Sequence, residues 1–248
     1  MIAYDFHIHS CLSPAADDEM TPVKIIDQAV ANGLDIIAIT DTNSARNAAA
    51  AAEYAEGKIA FVPGIEVESS EEVHVVCLFP DVYSVSRMQR IVAANMYDKE
   101  NRPEKFGNQL IVDEYDEHVD TEKRMLRYRT KMTIEEIFYA ARQMGGAAFY
   151  AHLEQKAYSV LSVLGMIPQR PQPKAIEYTN NAAGRAMFEK KGDFGRLVFF
   201  NSDAFSLSQI STRENAGDLE AVAADLAGAS GGITARAFID WLREQPGI

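Results

Sequence analysis

The segment Asp35-Ile36-Ile37-Ala38-Ile39-Thr40 constrains the fold more than any other. Its central residues are apolar without alternation, the pattern of a strand covered on both faces, and such strands belong to parallel sheets flanked by helices. A helix signal precedes it: Thr21 as N-cap, Pro22 at the first helical position, Val23, Ile26, Ala29 and Val30 at helical spacing, and Gly33 to end it. The rhythm repeats. Residues 2–7 read as a strand, an Ala-rich helix covers about 45–57, and strands follow at 59–63 and, beyond a Gly64-Ile65-Glu66-Val67 turn, at 73–79. Further on, Thr133 with Glu135 and Glu136 predicts a capped, acidic first turn. Gly145-Gly146 ends that helix, and strands are expected at 147–151, 175–178 and 197–200. The tail predicts a helix around 218–226, a Gly-rich break at 228–232 and a last helix at 235–244. Repeated βα units in 248 residues favour a barrel or an open parallel sheet, as one large domain or two small ones.

Residues 81–131 interrupt the rhythm. A helical stretch at 88–96 gives way to a polar, irregular 99–107, and Leu110-Ile111-Val112, 114–117 and Val119 predict a hairpin inserted between core units.

The chain has five histidines, and their positions carry the chemistry. His7 and His9 lie at i, i+2 on the first strand, which projects both side chains from one face. His74 sits in the 73–79 strand, His152 ends the 147–151 run, Glu66 follows a strand, and Asp203 follows 197–200. In a barrel or parallel sheet, residues at the C-terminal ends of strands converge on one face. Imidazole plus carboxylate ligation suits Zn, Mn or Fe, and lacks the all-oxygen character of Ca or Mg sites. Taken singly, each residue has an ordinary role: a buried or surface histidine, a helix cap, an Asx-turn aspartate. Their joint placement makes them a candidate metal centre. His118, inside the hairpin, lacks that placement and reads as solvated.

The formal net charge of −12 disfavours a protein that coats extended nucleic acid, since such binding needs Lys and Arg against many phosphates. A small phosphorylated substrate fits, because bound cations reverse the potential of an acidic cleft. Cys11 and Cys77 form no CxxC pair, which excludes a disulfide framework or a Cys-rich zinc site. The opening MIAYDFHIHS is no signal peptide and no apolar run reaches membrane-spanning length, so the expectation is a cytoplasmic, soluble protein without a membrane partner.

At these residues the sequence resembles the PHP (polymerase and histidinol phosphatase) family. Asp5-Phe6-His7-Ile8-His9-Ser10 resembles its opening motif, Ile39-Thr40-Asp41-Thr42-Asn43-Ser44 its second, Gly64-Ile65-Glu66-Val67 its third and Val73-His74-Val75-Val76 its strand histidine. Ala151-His152 and Ser202-Asp203-Ala204 resemble the last two, in family order. Segments 17–22 and 158–168 further resemble a bacterial branch of PHP-domain metal-dependent phosphoesterases. The resemblance implies a distorted (β/α)7 TIM-like barrel as a single domain over 1–248, with the insertion at about 81–131. It implies one ion on His7, His9, Glu66 and Asp203, and a second on bridging Glu66 with His74 and His152. A third would use a residue near Asp17 and two positions where the family has histidine. Those positions are Thr42 and Phe205 here. Both departures fall on one ligand set, so the expectation is two divalent transition-metal ions with the third site lost or weak.

The implied reaction is hydrolysis of a phosphate ester on a small phosphorylated metabolite. Asp17 or Asp18 is the candidate proton donor to the leaving group, a role that requires a raised pKa, and Arg46 and Lys156 are candidate phosphate-binding cations, with solvated surface charge as the plain alternative. Tyr158 and Phe205 could stack on a base or simply pack. Two competing readings stand beside this one: a metal-binding homologue with weak or no catalysis and a regulatory role, and a hydrolase of C–N bonds.

Overall fold

The computed structural model describes residues 2–219, 226 and 233–245. In chain order the elements are β1 (Ala3–Ile8), α1 (Pro22–Ala31), β2 (Ile36–Ile39), α2 (Ala48–Ala55), β3 (Ala60–Glu68) and β4 (His74–Leu78). The insert supplies α3 (Val82–Asn95), α4 (Pro103–Phe106), β5 (Leu110–Val112) and β6 (His118–Thr121). Then come α5 (Ile134–Gln143), β7 (Ala147–Tyr150), α6 (Val160–Leu164), β8 (Ala175–Thr179), α7 (Ala182–Lys191), β9 (Leu197–Asn201), β10 (Gly217–Asp218) and α8 (Ala235–Glu244). The expected capping devices form: Thr21 caps α1 through Lys24 N–H, and Thr133 and Glu136 make a reciprocal capping box on α5.

The large sheet runs β10-β1-β2-β3-β4-β7-β8-β9 and curls into a nearly closed barrel of PHP, TIM-like type. An isolated Ile8–Ala204 bridge closes the seam between β1 and β9, and the Phe6 N–H donates across it to Asn201 Oδ1 at 2.9 Å. Alternation along the staves fills the interior: Tyr4, Phe6, Ile36, Ala38, Val62, Val76, Leu78, Phe149 and Phe199 form one buried cluster. Phe238, Ile239, Trp241 and Leu242 of α8 join it, and Phe238 stacks on Phe6 at 4.4 Å. Outward residues such as Ile37 and Ile39 pack beneath α1 and α2, and Val75 and Cys77 beneath α3 and α5. Phe199 meets Phe6, Phe149 and Tyr4 at ring distances of 5.2–5.6 Å. Phe199→Ala should cost about 3–5 kcal/mol, read as a lowered urea midpoint at unchanged slope.

Three features differ from the sequence expectation. Residues 64–67 are not a turn. β3 is one continuous strand whose first half pairs in parallel with β2 and whose second half, Gly64–Glu68, pairs antiparallel with β4. A Cβ at Gly64 would lie 2.6 Å from Thr40 Cγ2, so the crowded changeover needs a glycine. Second, β4 runs antiparallel to both β3 and β7. His74 is its first residue, so it reaches the rim from the N-terminal end of its strand, whereas the other candidate residues arrive from within or just after C-terminal segments. Third, alternation inverts in β1. The register with β2 shifts between Asp5 and Ile8, so Ala3 and Ile8, five positions apart, both pack outward. That inversion, a rim irregularity that re-aims side chains, turns His7 and His9 inward above Phe6.

The insert's hairpin forms its own two-stranded sheet, and Asp116 at its tip accepts from Thr21 Oγ1 at 2.6 Å, docking it on the start of α1. The expected 218–226 helix lies mostly outside the described residues, and its first residue, Asp218, belongs to β10. The 228–232 break also lies outside them, while the last helix is α8 as expected. No helix among the described residues is long and apolar enough to cross a membrane.

Candidate metal centre

Above the apolar interior the barrel turns polar. Inward positions of β8 and β9 are occupied by Glu177 and Asn201, both fully buried, and above these the candidate ligands meet. Donor atoms of His7, His9 and Glu66 lie within 4.8 Å of one another, as do those of Glu66, His74 and His152. Glu66 belongs to both groups. Its Oε1 is 3.3 Å from His7 Nε2, 2.8 Å from His74 Nδ1 and 3.5 Å from His152 Nε2. Asp203 Oδ1 completes the first group, 3.2 Å from His9 Nε2 and 3.5 Å from His7 Nε2. All six residues named from sequence converge. His118 does not; it is exposed and bonds Thr121.

Donor accounting shows that the imidazoles are prepared for a cation. Ser13 Oγ has one proton, which it gives to Asp41 Oδ1 at 2.7 Å, so His9 Nδ1 at 2.8 Å must be the N–H donor to Ser13. His7 Nδ1 faces the Glu177 carboxylate at 2.9 Å and is likewise the donor. With each Nδ1 turned to Ser13 or Glu177, both Nε2 atoms are aimed at Glu66 and Asp203, the carboxylate–histidine arrangement of metal sites. His7 Nε2 and Glu66 Oε1 are buried and make no hydrogen bond. Such atoms carry a desolvation cost unless a ligand satisfies them, and a divalent cation held by this cluster would do so.

The electrostatics agree. Burial alone would raise the Glu66 carboxyl, but His74, His152 and His7 outweigh it and hold it well below the usual carboxylate range. Burial likewise opposes ionisation of Asp203, and His7, His9 and His152 overcome it. Burial lowers His74 toward the neutral form that a ligand needs. Burial pushes Glu68, two positions after Glu66 and 3.9 Å from His74 Nε2, up to about 7, with Glu66 adding to the rise.

The backbone at the rim is unusual: Asn43, His152, Tyr158 and Asp203 all hold positive φ, at 54°, 30°, 61° and 53°. Strained conformations of this kind persist where the surroundings fix them and cluster at functional sites. The His152 N–H donates to Glu177 Oε1 at 2.9 Å, which fixes that turn. Two rings flank the cluster. Phe205 stacks on His9 at 4.1 Å and Tyr158 on His74 at 4.6 Å, so both pack against ligands. Thr42 donates its hydroxyl to Glu66 Oε2 at 3.1 Å.

Among the remaining candidates, Asp17 is exposed, and its N–H donates to the Phe205 carbonyl at 3.0 Å, which sets it beside the mouth. Arg46 is ion-paired with Asp120 at 2.7 Å and lies 3.8 Å from Glu122 of the insert. Lys156 is exposed, next to Gln155, whose amide donates to Asp203 Oδ2 at 2.8 Å. Sequence reasoning missed Glu177, Asn201, Ser13, Gln155 and Glu68. Glu177 alone carried a signal, as a single carboxylate within the apolar run at 175–178.

An α/β barrel with a buried histidine–carboxylate cluster at one rim defines a metal-binding barrel protein. The PHP domain profile matches residues 5–166, and the chain belongs to that family. Among curated proteins the sequence finds no match. Its fold is similar to the lesion-specific endonuclease PfuEndoQ of Pyrococcus furiosus, with TM-score 0.60 and 19% identity over 87% of this chain and 50% of that one. The chain thus spans half the length of that endonuclease. An amidohydrolase from Chromobacterium violaceum, crystallised with sulfate and no metal, gives TM-score 0.56 and 20% identity over 87% of this chain and 90% of its own. A Bifidobacterium adolescentis protein assigned as a metal-dependent phosphoesterase gives 0.52 and 17%, over 99% and 97%. At these identities the likeness is one of fold.

Proposed function

We propose that the protein is a metal-dependent phosphoesterase that hydrolyses a small phosphorylated metabolite with two divalent transition-metal ions. The observation that carries the reading is Glu66, shared by two overlapping histidine groups with its Oε1 buried and unbonded. His7, His9, Glu66 and Asp203 would hold one ion, and Glu66, His74 and His152 the other; bound there, such ions lower the pKa of water and offset charge on phosphoryl oxygens. The chain's own residues fix the geometry. Gln155 occupies Asp203 Oδ2 and leaves Oδ1 turned to His7 and His9. Ser13 and Glu177 hold the tautomers of His9 and His7. Thr42 and Phe205 offer a neutral hydroxyl and a hydrocarbon ring where a third ion would need histidines, which supports two ions per chain. The net charge of −12 favours a compact substrate over a long nucleic acid.

Elemental analysis of reconstituted protein, beside hydrolysis of p-nitrophenyl phosphate and its bis ester, tests the reading. Two ions per chain and turnover abolished by a chelator are expected; three tightly bound ions would overturn the stoichiometry. Bound metal without turnover of these esters or of a nucleotide panel would favour a binding or regulatory homologue, a reading that the Phe205 ring over His9 also supports. Asp17 is the proposed proton donor to the leaving group. Asp17→Asn should lower kcat on an alkyl phosphate by about 10²–10⁴-fold, yet leave p-nitrophenyl phosphate nearly unaffected, because p-nitrophenolate leaves without protonation. Equal losses on both esters would remove Asp17 from that role.

A further inference from the structure

The insert reaches the metal centre at residues 126–130, and it is pinned there from two sides. Asn43 Nδ2 donates to the carbonyls of Leu126 at 2.8 Å and Tyr128 at 3.1 Å. The same side chain accepts the Glu68 N–H through Oδ1 at 3.0 Å. The Thr130 N–H and Oγ1 donate to the Glu68 carbonyl at 2.9 and 2.8 Å. Asn43 directly follows Thr42, whose hydroxyl bonds Glu66. Residue 127 therefore stands between two fixed carbonyls, a short path of hydrogen bonds from the shared ligand.

That residue is Arg127. Its side chain is exposed and has no hydrogen-bond or ion-pair partner among the described residues. Neighbouring arginines are engaged: Arg46 with Asp120, Arg124 with Glu122 and the Ala93 carbonyl, Arg129 with Glu72. A guanidinium presents a planar fork of donors that matches phosphate oxygens, and a fixed backbone lowers the entropy lost on engaging them. Arg46, by contrast, would have to give up its carboxylates first.

We propose that Arg127 is a substrate-binding residue that clamps the phosphoryl oxygens, and that the insert serves to deliver it. The proposal rests on the phosphoesterase reading for its substrate, but phosphate binding tests it separately. Wild type, Arg127→Ala, Arg127→Lys and Arg129→Ala would be reconstituted with metal, counted for metal, and titrated calorimetrically with inorganic phosphate. Arg127→Ala should weaken phosphate binding by about ten-fold or more at unchanged metal content, with partial recovery in Arg127→Lys, which keeps the charge but not the fork. Arg129→Ala removes a charge from the same segment and should stay within about two-fold, as expected for a screened surface charge. Where esters turn over, the Arg127→Ala loss should appear in KM more than in kcat. Unchanged phosphate affinity in Arg127→Ala, an equal loss in Arg129→Ala, or no phosphate binding by metal-loaded wild type would each overturn the proposal. A wild type that binds phosphate but hydrolyses no ester would overturn the phosphoesterase reading alone, and the Arg127→Ala titration would still decide the clamp.

Discussion

Glu66→Gln should abolish phosphoester turnover and strip metal from both halves of the centre. Among the described residues the carboxylate is the one group within reach of His7, His74 and His152 through Oε1 and of His9 through Oε2, at 3.9 Å. An amide keeps the shape but loses the charge, and its NH₂ end would point a donor where an ion must sit. The loss should exceed the roughly 10–100-fold typical of a supporting residue behind the ligands. Elemental analysis of Glu66→Gln after reconstitution, together with its rate on bis-p-nitrophenyl phosphate, checks this. A variant that keeps both ions would show that the two groups do not share Glu66. Replacing Asp203 instead should weaken only the group built on His7 and His9, so the two variants together distinguish a bridge from a one-sided ligand.

Much of this centre was legible because its ligands are punctuated by the strands that carry them. His7, His9, His152 and Asp203 all follow or end apolar runs, and placing strand ends on one rim gathers them without further information. Glu66 and His74 join the cluster, but through a partly wrong picture of their strands. Treating 64–67 as a turn concealed a continuous strand, and with it the direction of β4. The clue was present: only residues 64–72 separate the two expected strands, too few for the dozen or more that a parallel crossover needs. The inversion of alternation in β1 had no such clue. A strand buried on both faces shows the same apolar pattern with or without a register shift, and strict alternation of His7 and His9 gave the right shared face despite it. The supporting network was mostly illegible because its members are remote in sequence. Ser13 and Asp41 meet only once the loop after β1 folds over the end of β2, and the Leu126 and Tyr128 carbonyls come to Asn43 only once the insert folds back.

Glu177→Gln should lower metal affinity by about 10–100-fold and also destabilise the metal-free protein. Glu177 touches no position where an ion would sit, yet its two oxygens receive His7 Nδ1 at 2.9 and 3.1 Å, the His152 N–H at 2.9 Å and Asn201 Nδ2 at 2.7 Å. Every partner is a donor, so the site requires acceptors on both oxygens. A glutamine supplies one acceptor and one donor, and whichever way it flips, its NH₂ meets an N–H. Asn201 cannot relieve the conflict by turning, because its Oδ1 already accepts the Phe6 N–H across the barrel seam. The mismatch leaves at least one buried donor unpaired, a cost of about 1–3 kcal/mol. Loss of the carboxylate also removes a charge that raises the basicity of His7 against the opposing effect of burial, and with it the hold on the tautomer that aims Nε2 at Glu66. Two measurements separate these effects: a denaturant midpoint on metal-free protein reports the unpaired donor, and a competitive chelator titration reports the ligand. A loss of stability with unchanged metal affinity would make Glu177 a packing residue of the barrel. Loss of both would show that the polar layer of β8 and β9 supports the seam and sets the ligands.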